Sequence, residues 1–123
     1  MPEASFPVEM VSGVPVVTAP EEIDVTNAAR LRSVLLGATA PGHATLVVDM
    51  SQTQFCDSAG LNVLVRANQR AEAKGGQVRL VISTTHVRRI FTVTGIDRVI
   101  PSFASLEQAL APAAAPVIQP AAG

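Results

Sequence analysis

Thr45-Leu46-Val47-Val48-Asp49, followed after a short polar stretch by Phe55-Cys56-Asp57-Ser58-Ala59-Gly60-Leu61, is the most informative part of this 123-residue chain. The first run is short and nearly continuously apolar, between Pro41-Gly42 and polar residues, as expected of a strand buried on both faces. It belongs in the centre of a sheet. Asp57-Ser58 then opens a helix over residues 58–74 that stops at Gly75-Gly76, and residues 77–82 read as the next strand.

On the N-terminal side, residues 8–10 and 14–18 read as two strands of a hairpin around Ser12-Gly13, with Pro15 suited to an edge strand. A first helix is predicted over 25–36, with Ala28, Leu31 and Leu35 near one face, Arg30 and Arg32 off it, and Gly37 closing it. Ser83-Thr84-Thr85 is a cap for a third helix in which Val87, Ile90 and Phe91 have helical spacing and Gly95 marks the end. Residues 99–103 read as a last strand and 105–111 as a last short helix with Leu106 and Leu110 facing in. Strands alternating with helices imply parallel neighbours joined by helical crossovers. The expected fold is therefore α/β, with a mixed sheet in a domain over 1–110. Residues 111–123 are rich in Ala and Pro, carry no charge, and are expected to form a flexible tail.

Composition narrows the function. The chain is 48% hydrophobic and 15% charged, with four Phe and no Trp or Tyr, so one core of aliphatic residues is expected, without metal or disulfide staples. A net charge of −1 and the lack of aromatic stacking residues argue against nucleic-acid binding. No apolar run is long enough to span a membrane, and the acidic start leads into no apolar segment, so a cytoplasmic protein without membrane contact is expected. Cys56 is the single cysteine and reads as a small buried hydrophobe, with redox sensing as the other reading.

Ser58 falls at or beside a helix N-terminus, where the first amide N–H groups lack intrahelical partners and the dipole is positive. A phosphate there is well accommodated, so the fold can survive a change of about −2 in charge that a docked partner would feel directly. At 100° per residue, Asn62, Val65, Arg66 and Gln69 share the outward stripe with Ser58, while Gly60, Val63, Leu64, Ala67 and Ala71 face inward. The plainer reading is that Ser58, or Asp57 before it, is only a helix cap. Local chemistry leaves both readings open.

Asp57-Ser58-Ala59-Gly60-Leu61 resembles the phosphorylation motif of bacterial anti-sigma factor antagonists, single STAS-domain proteins in which the Ser after the Asp is phosphorylated by an anti-sigma kinase. Glu22-Ile23-Asp24 falls where that family has an acidic, aliphatic, Asp triplet, and Phe91, Thr94 and Gly95 where it has a similar helix end. The resemblance covers about residues 6–110. Two departures stand out: Glu21 where the family often has Gly, and Ala59 where it often has a second hydroxyl. Ala59 leaves Ser58 as the one acceptor.

The resemblance implies a STAS-like mixed, mostly parallel sheet of about five strands with three to four helices. It implies phosphorylation of Ser58 and places Asp24 and Asp57 near the docking surface, with Asp57 also supporting Ser58; Ala59 beside it and Asn62, Val65 and Arg66 on its outward stripe complete the candidate partner-binding set. Its partners would be an anti-sigma serine kinase, which binds the unphosphorylated form and lets go of its sigma factor, and a serine phosphatase. A weak homodimer is allowed for. No cofactor is expected on this chain, since ATP and Mg²⁺ belong to the kinase. The alternative is a STAS adaptor subunit of a lipid- or anion-transport assembly, without phosphorylation.

Other chemistry is poorly supported. A hydrolase triad can be drawn from Ser58, Asp57 or Asp24, and His43 or His86, but the nucleophile motif is missing, and both His read as solvated surface residues. They also lie too far apart for a recognisable ligand set, and Gly75-Gly76 lacks the Lys-Ser/Thr of a phosphate loop. Arg88 and Arg89 read as the wet side of a helix or as a charged rim for an acidic partner.

Overall fold

In the computed structural model, which describes residues 6–39 and 45–111, the strands β1 (Val8–Val11) and β2 (Val14–Thr18) form an antiparallel hairpin. Its two turn residues, Ser12 and Gly13, both have positive φ, the twist that matches paired strands. A two-residue strand, β3 (Glu22–Ile23), precedes α1 (Ala28–Ala38), and β4 (Leu46–Met50) precedes another two-residue strand, β5 (Phe55–Cys56). Then follow α2 (Ser58–Ala73), β6 (Val78–Ile82), α3 (Thr85–Thr94), a 3₁₀ turn (Ile96–Arg98), β7 (Ser102–Phe103) and α4 (Leu106–Ala109). Five strands form one sheet in the order β1-β2-β4-β6-β7, parallel except for β1 with β2. The expected mixed, mostly parallel sheet is therefore present, with β4 at its centre.

Strand periodicity divides the core. Val17, Leu46, Val48, Met50, Val78, Leu80 and Ile82 share one core with Leu31, Leu35, Leu64, Val87 and Phe91 from three helices. The alternate residues Val16, Val47 and Val81 face the other way and pack with Ala109, Leu106 and Phe103. Leu46, Val47 and Val48 are all fully buried because α1 to α3 cover one face of β4 and α4 the other. Arg79, also on the α4 side, donates from Nη1 to the Ala109 and Ala111 carbonyls, both at 2.9 Å. A cation there fastens a helix too short to hold itself in place.

Several sequence-based expectations are corrected. Pro15 is not on an edge strand, since β1 lies outside β2. It is tolerated because the ladder to β4 begins one residue later, at Val16 opposite Val47. Gly37 does not end α1; the helix runs through it to Ala38, and the hydroxyl of Thr39, the next residue, donates to the Leu35 and Leu36 carbonyls. The helix also begins at Ala28 rather than Val25, because residues 24–27 fold into a turn described below. Val99 and Ile100 do not join the last strand, since both amides donate to the Ile96 carbonyl and prolong the 3₁₀ turn. Thr84 precedes α3 but gives it no side-chain cap, its hydroxyl donating instead to the Thr53 carbonyl. His43 and most of the 111–123 segment lie outside the described residues.

The second, two-stranded sheet was not anticipated. β3 and β5 pair in parallel, Glu22 opposite Phe55 and Ile23 opposite Cys56, and α2 begins directly after them. A Cβ at Gly60 would stand 2.6 Å from Ile23 Cγ2 and 2.8 Å from Cys56 Sγ. Both neighbours are buried, so they have little room to yield. Burial pushes the Cys56 thiol up to about 12, and the Asp57 charge adds to the effect.

Gly60→Ala is expected to cost about 1–3 kcal/mol through overpacking, read as a lowered denaturant midpoint with unchanged slope. Cys56 in the folded protein should resist a thiol reagent at pH 8 and react promptly in denaturant. A thiol alkylated equally fast in both states would contradict the packing.

Candidate functional site

The site is the end of the molecule where β3, β5 and the first turn of α2 meet. Glu21 O accepts from Gln54 N at 2.7 Å and Phe55 N at 3.2 Å, and Asp57 N donates to Ile23 O at 3.0 Å. Two segments more than 30 residues apart are thereby zipped together.

Asp57 caps α2. Its backbone is extended, and its Oδ1 accepts from Gly60 N at 3.1 Å. This satisfies one of the amides that a helix start leaves without a partner. Oδ2 accepts from Val25 N at 3.2 Å, so the same carboxylate also holds the segment after β3. Ser58, the first residue of α2, is exposed, and its hydroxyl makes no hydrogen bond to another described residue. Of the two cap assignments open in the sequence, the structure gives the cap to Asp57 and leaves Ser58 unburdened.

Asp24 organises the facing turn. Its Oδ1 accepts from Thr26 N at 2.9 Å and from the Thr26 hydroxyl. Its own amide donates to Asn27 Oδ1 at 2.9 Å, and its carbonyl accepts from the Asn27 and Ala28 amides. The Thr26 hydroxyl first, then the Thr26 amide, holds the Asp24 carboxyl below its ordinary value. A lowered value means that this tie is intact throughout the neutral range and is lost only as acid protonates the group.

The structure thus brings Asp24, Asp57 and Ser58 to one end. Asn62 and Arg66 are exposed farther along the same stripe, as the helical angle predicts. Val65 and Ala59 differ from a fully outward placement: both are half-buried and pack against the main core. Val25 and Phe55, not singled out from sequence, are 74% and 43% exposed and flank Asp57 in space or sequence. The available signal was their register beside Asp24 and Cys56, but only the β3–β5 pairing puts them together. Asn68, also missed, is fully buried; its Oδ1 accepts from Val78 N at 2.9 Å and thereby ties α2 to β6. His86 is exposed at the start of α3. Among the described residues no group of three His, Cys, Asp or Glu is arranged to hold a metal, and no helix is long and apolar enough to cross a membrane.

Asp57→Ala removes both the cap and the tether to Val25, so it is expected to cost about 1–2 kcal/mol. It should also speed amide hydrogen exchange at Val25 and Gly60 more than at the strand centres. Exchange unchanged at both amides would contradict the dual role.

Residues 5–109 match the STAS domain family. The chain is 28% identical over 99 residues to the anti-sigma-F factor antagonist RsfB of Mycobacterium tuberculosis, covering 80% of each protein. It is 31% identical over 86 residues to the anti-sigma-B factor antagonist of Bacillus subtilis, covering 70% of this chain and 78% of the relative. The crystal structure of an anti-sigma factor antagonist from Mycobacterium paratuberculosis superposes with a TM-score of 0.79 at 30% identity, over 86% of this chain and 90% of the other. The family match takes in both sheets and all four helices, and the chain belongs to the STAS domain family.

Proposed function

We propose that this protein is an anti-sigma factor antagonist that works by partner switching, with Ser58 as its phosphorylation site. Unphosphorylated, it binds an anti-sigma serine kinase, which releases its sigma factor. Phosphorylation of Ser58 ends that complex, and a serine phosphatase restores the binding form. The names of the relatives support the antagonist role. The observation that carries the switch is an exposed Ser58 hydroxyl, free of hydrogen bonds to other described residues, at the start of a helix whose cap is supplied by Asp57.

The physical logic follows from that division. A kinase must reach the hydroxyl, and the fold must not depend on it. At the first turn, the Ser58 and Ala59 amides precede the first intrahelical bond, so a phosphate on Ser58 gains donors and a favourable dipole. A partner docked over the same place meets up to two added negative charges beside the carboxylates of Asp57 and Asp24. Like-charge juxtaposition at an interface costs several kcal/mol, while the domain itself is little affected.

Exposed Val25 and Phe55 provide apolar contact next to Ser58, and Asn62 and Arg66 extend the surface along α2. Asp24 contributes through the turn it holds and through its charge. Val65 and Ala59 contribute the parts of their side chains that the core leaves exposed. ATP and Mg²⁺ enter with the kinase.

Incubation with the cognate anti-sigma kinase and ATP should add one phosphate, mapped to Ser58 by mass spectrometry. Ser58→Ala should leave stability within about 0.5 kcal/mol of the parent, since the hydroxyl caps nothing. It should bind the kinase and not be released by ATP. Ser58→Glu should stay folded and bind about tenfold more weakly or worse, a loss of about 1.4 kcal/mol. Equal affinity of the two variants would overturn the switch.

A further inference from the structure

At one margin of the five-stranded sheet, β1 is paired on one side only, and among the described residues nothing bonds to its outer edge. The opposite margin, β7, is two residues long and packs with α4. β1 is therefore the edge able to take another strand.

The hairpin fixes which groups are open. Its two-residue turn makes Val11 and Val14 a hydrogen-bonded pair, and such pairs recur at every second residue. Glu9 with Val16 is the next, and the Pro7 carbonyl accepts from Thr18 N at 2.9 Å. The amide and carbonyl groups of Phe6, Val8 and Met10 therefore point away from β2. Pro7, which lacks an N–H, belongs to the inward set, so the outer row of donors is complete. Side chains alternate as well. Phe6, on the face shared with Val17, is buried in the main core, whereas Val8 and Met10 on that face are 48% and 51% exposed. Residues Val8–Val11 include neither Lys nor Pro, and Glu9 is their one charge, so little blunts this edge.

A two-fold axis that keeps the sheet faces aligned can be centred on any residue of β1. Centred on Glu9, it sets two carboxylates directly opposite each other, which is destabilising. Centred on Met10 or Val11, it runs the pairing into the Ser12-Gly13 turn. Centred on Val8, it sets Val8 against Val8, Met10 against Phe6 and Glu9 against Pro7, so no like charges meet. This register also uses the open groups of Phe6, Val8 and Met10 together.

We propose that β1 pairs antiparallel with β1 of a second copy of this chain about a two-fold axis at Val8, joining two five-stranded sheets into one. About five residues a side bury less than the roughly 1,200–2,000 Å² of a stable interface, so the dimer is reversible, with a dissociation constant on the order of 1 mM. None of the residues assigned to the Ser58 surface lies in β1, so the two contacts are independent.

The test is sedimentation equilibrium of the full chain from about 20 µM to about 2 mM, with amide hydrogen exchange measured at both ends of that range. A monomer–dimer equilibrium is expected. The Val8 and Met10 amides should slow about twofold in exchange as concentration rises, while those of Glu9 and Val11, already bonded to β2, stay unchanged. Val8→Lys sets two cations opposite each other and should weaken association at least about threefold, with an unchanged thermal midpoint in dilute solution. Val93→Lys, on an exposed position of α3, should associate like the parent. A chain still monomeric at the highest concentration would overturn the proposal and leave the edge to a strand of another protein. Slow exchange at Val8 and Met10 at every concentration would assign the edge to another segment of the same chain. Undiminished association of Val8→Lys would place the contact elsewhere, and either of these results also overturns the proposal.

Discussion

The first turn of α2 can lie against the β3–β5 pair only because position 60 carries no side chain. With any Cβ there, Ile23 and Cys56 would be struck at distances that carbon and sulfur do not tolerate, and the helix would have to back away from the small sheet. Such a retreat would also open the hydrogen bonds of Asp57, which reaches Gly60 with one oxygen and Val25 with the other. Gly60 therefore serves less as a flexible residue than as an absence of volume, at the point where three segments converge.

From that contact follows a separation of duties between two adjacent residues. Asp57 performs the structural task, closing the helix and holding the facing turn, so Ser58 is left without a structural task of its own. A hydroxyl that capped the helix would couple modification to stability, since adding a phosphate would remove a cap. Here the cap and the exposed hydroxyl belong to different residues, so a change at Ser58 leaves the cap in place. Asp24 supports the same arrangement from the other side, its carboxylate occupied by Thr26 and its backbone by Asn27.

The molecule is also divided electrostatically. Asp24, Asp57, Glu21 and Glu22 gather at the Ser58 end, near exposed Val25 and Phe55, whereas α1 and α2 carry four arginines. A net charge near zero conceals this polarity. The opposite sheet face has its own small core, fastened by Arg79 to the end of α4, so each face is closed by a different device.

The alternation of strands and helices, the doubly buried β4, the extent of α2 and the stripe on which Ser58 lies are all legible in the order of residues. These depend on local periodicity and on residues such as Gly95 that end helices by their own geometry. The resemblance of Asp57-Ser58-Ala59-Gly60-Leu61 to a known motif added the expectation of a switch. Which residue of the Asp57-Ser58 pair caps α2 is not legible there and emerges from the folded chain. That choice depends on a tether to Val25, 32 residues away, and on a two-residue strand pair too short to leave any periodic trace. The placement of Pro15 inside the sheet was settled the same way, by pairing with a strand distant in sequence, whereas the passage of α1 through Gly37 is held locally, by the Thr39 hydroxyl on the Leu35 and Leu36 carbonyls.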